Sequence, residues 1–293
     1  MGPKVGVILI NYRSAQDTLE CVRSLLCSTY EDMHVWVIDN ASEDDSLQTL
    51  REGLASNANV TLVSNDENLG FGLANNQGME LAFANGCEYA LLLNNDTVAD
   101  ERMVEELVSH AAPYTVVAPL IVTHKDPRIV WFAGGSIDRL ARTHHHLRGE
   151  SVSKAPDGPT ATEFLTGCCM MLSRGAFLQT GGFGEEYFLY WEDADLCMRL
   201  RAKGFTLLLC PKAVVQHKVS ASTGGTGSLL GDYYYLRNRL YFARKFGYGA
   251  KARLACMGSL AAHKARRGYD ARGLQWGYAD FRARKMGKSP RFA

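Results

Sequence analysis

Three acids within four positions, Glu192, Asp193 and Asp195, stand in the segment GGFGEEYFLYWEDADLCMRLRAKGF, behind a glycine turn and an aromatic run that includes Tyr190 and Trp191. Leu196 and Leu200 continue at helical spacing and Gly204 reads as a stop, so the acids occupy the first turn of a helix. Acids there complement the helix dipole. They also suit proton transfer: a carboxylate within hydrogen-bond reach of a hydroxyl takes its proton as that oxygen attacks, and Asp193 is the candidate base. A further acid, Asp96, follows LLLNN, at the mouth of a buried strand where a hard cation such as magnesium or manganese can bridge it to phosphate oxygens. The plainer reading of Asn94–Asn95–Asp96 is a turn or helix cap. His217, in VVQHKVSAS and just after a strand expected over 205–209, is either a structural histidine or, with Asp96, part of a metal site.

The segment NLGFGLANNQGM contains Gly70-x-Gly72, which invites a dinucleotide-binding reading. Asn75 stands where the third glycine belongs and the first strand ends in NYRS, so the dehydrogenase fingerprint is excluded. The glycines still let the backbone approach a ligand, and the amino end of the following helix favours phosphate or ribose. Asn68, Gly70, Asn75 and Asn76 are the candidate contacts, with a tight loop needing positive φ as the alternative.

Periodicity supplies the elements that must carry these groups. Residues 5–10 are a continuous apolar, β-branched run, as in a parallel strand buried on both faces. Helical spacing follows over 15–28, an apolar strand over 34–38, a helix over 46–54, a strand over 60–63, a helix over 73–84 and a strand over 89–93. Four strands alternating with helices predict a doubly wound, Rossmann-like α/β sheet. Ligands bind such sheets at the carboxyl ends of the strands, where Asn11–Tyr12, Asp39–Asn40, Asn65–Asp66 and Asn94–Asn95–Asp96 stand. Beyond Asp96 the pattern weakens to a helix near 101–111, a strand near 116–122 and a polar stretch over 143–160, which is expected to shape an acceptor site or a mobile loop.

Composition limits the function classes. Of 293 residues 46% are hydrophobic, enough for a sizeable core. The formal net charge of +1 hides an asymmetry: residues 1–236 carry 17 basic and 29 acidic side chains, whereas 237–293 carry 15 basic against Asp270 and Asp280. The basic tail alternates with apolar residues and is read either as a solvated helix packed on the acidic body or as a surface for anionic membrane. No nucleic-acid-reading motif accompanies it, so no nucleic-acid partner is expected. Eight cysteines without a CxxC pair read as reduced, mostly buried thiols. The opening residues lack a signal-peptide layout and no apolar run approaches the roughly 18 residues of a membrane span, so a cytoplasmic chain is expected, with peripheral membrane contact left open.

In order and spacing, the pieces VGVILINYRS, VWVIDNASEDDS, NLGFGLANNQG, LLLNNDT, FLTGCCMMLSR, the acidic segment and VVQHKVSAS cover nearly the whole chain. The chain resembles inverting glycosyltransferases of the GT-A type, glycosyltransferase family 2, the large group that includes bacterial rhamnosyltransferases. The resemblance implies a GT-A catalytic domain over 1–236, with a nucleotide-sugar half to about residue 120 and an acceptor half beyond it, then a basic, mainly helical extension over 237–293. It implies that Asp39 reads the nucleoside, that Asn11, Tyr12 and Asn95 line the nucleotide-sugar site, and that Asn94–Asn95–Asp96 holds the Asp-x-Asp position. Asn94 departs from that pattern and leaves one anionic metal ligand. It further implies Asp193 as base with Glu192 and Asp195 in support, His217 as a metal ligand, and Gly167, Tyr190 and Trp191 toward the acceptor. The implied donor is dTDP-rhamnose or a UDP-hexose, and the implied acceptor a saccharide or polyprenol-linked saccharide. Two readings compete: a non-catalytic nucleotide-sugar-binding module, against which the retention of Asp96 and Asp193 speaks, and a nucleotidyltransferase, which would carry a glycine-rich basic loop where NYRSAQ stands.

Overall fold

The computed structural model describes residues 2–219, 228–264 and 270–292. Three βα units and a fourth strand open the chain: β1 (Val5–Asn11), α1 (Ala15–Leu26), β2 (Met33–Asp39), α2 (Ser46–Leu54), β3 (Val60–Ser64), α3 (Gly70–Ala84) and β4 (Tyr89–Asn94). The strands pair in parallel, in the order β4, β1, β2, β3. Val5, Val7, Ile8 and Leu9 of β1 are fully buried, because helices cover both faces of a parallel sheet. Register brings Asn11 beside Asp39 and Ile10 beside Asn94, so the polar residues that end these strands share one rim of the sheet.

After β4 come β5 (Thr97–Ala99), α4 (Met103–Ser109), β6 (Thr115–Thr123), β7 (Val130–Phe132), β8 (Gly135–Ile137), β9 (Thr143–His145), β10 (Thr160–Thr162), β11 (Cys169–Ser173), α5 (Arg174–Thr180), α6 (Glu192–Ala202) and β12 (Thr206–His217). The sheet is not uniformly doubly wound. β11 lies antiparallel to β4, because the chain enters it from the rim that carries Asp96, and the parallel pair β6–β12 continues the sheet beyond it. The strand expected over 205–209 runs on to His217, since a register shift between Cys210 and Val214 absorbs Pro211. His217 thereby pairs with Thr97 of β5 beside Asp96. At the start of the polar stretch over 143–160, β9 pairs with β8, and His145 sits against Trp131, Phe132 and Phe164, whereas most of the residues that follow are exposed.

The C-terminal part is α7 (Leu229–Lys245), α8 (Ala250–Lys264) and α9 (Arg272–Arg282). α7 runs unbroken through 236–237, where the charge changes sign, and buries Arg237, Asn238 and Arg239. α9 crosses α7 at Gly277, where a Cβ would stand 2.5 Å from the Tyr233 carbonyl oxygen. Leu236, Leu240, Cys256, Leu274 and Phe281 form a small core between these helices. No helix among the described residues is long and apolar enough to cross a membrane.

Candidate active site

The rim is held by side-chain amides and hydroxyls. Asn11 donates to Asp39 Oδ1 at 2.7 Å and accepts from Thr18 at 2.8 Å, and Thr18 in turn accepts from Asn95 at 2.8 Å. The other oxygen of Asp39 accepts the Ser42 backbone N–H at 3.1 Å. Asn40 donates to Asn68 Oδ1 at 3.0 Å, and Asn68 Oδ1 also takes the Gly70 N–H at 2.9 Å. Gly70 has φ 81°, and a Cβ there would lie 2.4 Å from the Phe188 carbonyl oxygen; only glycine meets both demands. Phe188 belongs to the loop that leads into α6 and accepts the Phe71 N–H at 3.0 Å. The glycine segment and the acidic segment are thus one surface.

At the β4 end of the rim, His217 Nε2 lies 3.2 Å from Asp96 Oδ1, with both residues buried. Two donors each about 2.1 Å from one cation and at right angles lie about 3.0 Å apart, so the pair fits a shared divalent ion. Among the described residues no group of three or more His, Cys, Asp or Glu is placed to hold a metal, so these two side chains could supply only part of a cation's ligands. Trp131 fixes the imidazole plane, edge to face at 4.5 Å. Burial disfavours the imidazolium, but the Cys168 sulfur and the Asp96 carboxylate outweigh it and push His217 up to about 10, so a cation binding there must displace a proton.

The acids begin α6, whose first turn has no side-chain cap and is entered through two successive left-handed residues, Tyr190 (φ 68°) and Trp191 (φ 77°). Such conformations cost of order 1–3 kcal/mol each and persist only where surroundings enforce them. Asn238 of α7 does so, donating to the Leu189 and Tyr190 carbonyls at 2.8 and 3.0 Å, while the Trp191 ring packs on Tyr235 and Phe242. Asp193 emerges half-buried, one oxygen accepting the Gly167 N–H at 3.0 Å and the other the Ala194 N–H at 2.8 Å. Burial raises its carboxyl despite these N–H donors. Glu192 is nearly buried, its Oε2 has no partner among the described residues, and burial plus the Asp193 charge lift it to about 8.

One short stretch joins both clusters: Gly167 holds Asp193, and next to it Cys168 bonds to His217 and accepts the Asn94 N–H at 2.8 Å. The sequence candidates Asp39, Asn68, Gly70, Asn95, Asp96, Gly167, Asp193 and His217 therefore converge on one rim.

Four further candidates, Asp195, Asn76, Asn75 and Asn11, spend their polar groups inside the protein. Asp195 is fully buried and bound by Arg199, Lys245 and Tyr187, a brace between α6 and α7. Asn76 spends both ends of its amide on the Phe183 backbone, at 2.8 and 2.9 Å, and Asn75 donates to Phe71 of its own helix at 2.9 Å. Asn11 is wholly buried and acts through Asp39, whereas Tyr12 is partly exposed beside Arg13. Residues 220–222, which end the VVQHKVSAS piece, lie outside the described residues. Thr18, Ser42, Cys168 and Asn238 are site residues that sequence reading missed. Only Asn238, a polar residue between basic ones in an otherwise apolar helix pattern, offered a signal.

A nucleotide-type α/β rim joined to a mixed sheet, with an acid at the β4 end and a base candidate on a helix facing it, defines a glycosyltransferase of the GT-A fold. The chain belongs to glycosyl transferase family 2, whose model matches residues 6–181. It is 28% identical over 245 residues to the N-acetylglucosaminyl-diphospho-decaprenol L-rhamnosyltransferase of Mycobacterium tuberculosis, covering 74% of this chain and 77% of that protein. It is 22% identical over 247 residues to the low-salt glycan biosynthesis hexosyltransferase Agl10 of Haloferax volcanii, covering 80% of this chain and 74% of that one. Among solved structures, GalNAc-T7 with UDP, GalNAc and Mn2+ superposes with a TM-score of 0.67 at 16% identity, over 96% of this chain, which spans 54% of that one. The mannosyltransferase PcManGT of Pyrobaculum calidifontis with GDP-Man and Mn2+ gives 0.61 at 17% identity, over 97% and 84%. At these identities the structural likenesses establish the fold.

Proposed function

We propose that this glycosyltransferase inverts, uses a divalent cation, and moves rhamnose from dTDP-rhamnose to a polyprenol-linked saccharide during cell-surface polysaccharide synthesis. The observation that carries the reading is the Gly167–Cys168 stretch, which holds the Asp193 carboxylate on one side and the Asp96–His217 pair on the other. Asp193, raised by burial, is a stronger base than an ordinary carboxylate and takes the proton of the acceptor hydroxyl as it attacks opposite the nucleotide. Asp96 and His217 would hold magnesium or manganese, which supplies positive charge to the departing diphosphate. Asp39, with the Asn68–Gly70 turn, orients the nucleoside. The decaprenol-linked substrate in the name of the mycobacterial relative supports the acceptor class and a place at the cytoplasmic face of a membrane. A UDP-hexose donor is the second reading, favoured by the hexosyltransferase relative.

The test is nucleoside diphosphate release across a panel of nucleotide sugars, with magnesium, manganese or chelator, for wild type beside Asp96→Ala. Release from one donor that requires metal and disappears in the variant supports the reading and names the sugar. Tight nucleotide binding without turnover, even with lipid-linked acceptors present, overturns it in favour of a binding module.

A further inference from the structure

The C-terminal segment lines a cavity of about 290 Å³ beside α7 and α9, and none of the acids of α6 is in its wall. Its lining is cationic: Arg237, Lys285, Lys288 and Arg291 face a single acid, Asp280. That acid is already engaged, by Arg291 at 3.0 and 3.2 Å and by the Tyr233 hydroxyl at 2.9 Å. Lys288 has only a loose approach of 3.8 Å to the exposed Glu67.

Arg237 is the informative member. It is 1% exposed, in the middle of a helix packed on the catalytic body. Its Nε donates to Asn238 Oδ1 at 3.0 Å and its Nη1 contacts the Tyr233 hydroxyl at 3.2 Å, while the guanidinium lies 5.1 and 4.8 Å from the centres of the Tyr233 and Tyr234 rings. Its Nη2 is buried without a hydrogen-bond partner among the described residues. A buried cation whose donor is left unspent is costly unless something accepts from it. The guanidinium is therefore oriented in advance, at the wall of a cavity where exposed lysines add charge, and an anion there would accept from it.

We propose that this cavity binds a phosphoryl group. The size fits a phosphate or diphosphate, lying at the low end of ligand sites, and a guanidinium fork flanked by ammonium groups is suited to phosphate oxygens. None of the residues that line the cavity is among those placed on the donor rim, and the proposal does not rest on the glycosyl-transfer reading. Its phosphoryl group comes either from a lipid headgroup, at the membrane or in a polyprenyl diphosphate, or from a free phosphate.

The experiment uses the full chain in chloride buffer with chelator, which silences metal-dependent binding at Asp96 and His217. Inorganic phosphate and pyrophosphate are titrated calorimetrically, and vesicles of phosphatidylcholine with and without phosphatidylglycerol are pelleted with the protein. Wild type is compared with Arg237→Gln and with a Lys285→Ala/Lys288→Ala double variant, whose exposed positions leave folding intact. Pyrophosphate binding that weakens at least tenfold in the lysine variant supports the site. Pelleting with anionic vesicles that pyrophosphate competes away and the lysine variant loses assigns it to headgroups; soluble binding without pelleting assigns it to free phosphate. Absence of binding by all probes, or binding unchanged in both variants, overturns the proposal.

Discussion

At the scale of single residues, the two neighbouring acids of α6 have different consequences. In the proposed reaction Asp193 takes the acceptor's proton, so Asp193→Asn should lower kcat by about 10²–10⁴-fold while calorimetric donor binding is retained. Because burial raises its carboxyl, the rate should climb with pH along a limb displaced above the ordinary carboxylate range, as read from a pH–rate profile. Glu192 titrates near 8 in the folded chain against 4.5 ordinarily, so the folded state holds its proton through that window. Its contribution to stability is complete below the lower value and is lost as pH rises through the upper one. Glu192→Gln should therefore melt higher than wild type above pH 8 and show a flatter dependence of Tm on pH.

Elements, rather than residues, decide whether those acids are presented at all. The left-handed pair Tyr190–Trp191 turns the chain into α6, and Asn238 is the tie across to α7. Asn238→Ala leaves two carbonyls without their buried donor and should cost about 1–3 kcal/mol of stability by denaturant titration. Turnover should fall more than donor affinity, since most of the donor rim is carried on the ends of β1, β2 and β4 rather than on α6. The alternation of strands and helices there was readable because the strands are short continuous apolar runs between helically spaced segments, and the polar strand ends marked the rim. What sequence did not reveal depends on contacts between distant segments: the bulge at Pro211 that carries β12 on to His217, the antiparallel insertion of β11, and the use of Asp195 for Arg199 and Lys245. An acid in a first helical turn looks the same in sequence whether it faces a substrate or a lysine from another helix. Asn76 likewise sits among candidate contacts in the chain, yet turns to Phe183, 107 positions away.

For the molecule as a whole, the opposed charges of the two parts are partly an internal affair. Arg239 donates to the Ala141 and Leu140 carbonyls, Lys245 reaches Asp195, and Arg237 is enclosed, so α7 belongs to the catalytic body even though its second half carries the basic signal. A chain ending at residue 236 loses Asn238, Phe242 and Lys245 together. It should give no nucleotide-sugar turnover and no sharp calorimetric transition, whereas full activity in that fragment would show the extension to be an independent appendage. The cysteines offer a different view of the same body. Cys27 is exposed and the other seven are buried, spread over α1, the approach to β4, β11 and its entry, α6, β12 and α8. Burial also pushes Cys21, Cys197 and Cys210 up to about 12, which withholds the reactive thiolate as well as the sulfur. A thiol reagent would thus tag one position at once and each of the others only as its own element opens, so the order of labelling reads out which parts of the enzyme come apart first.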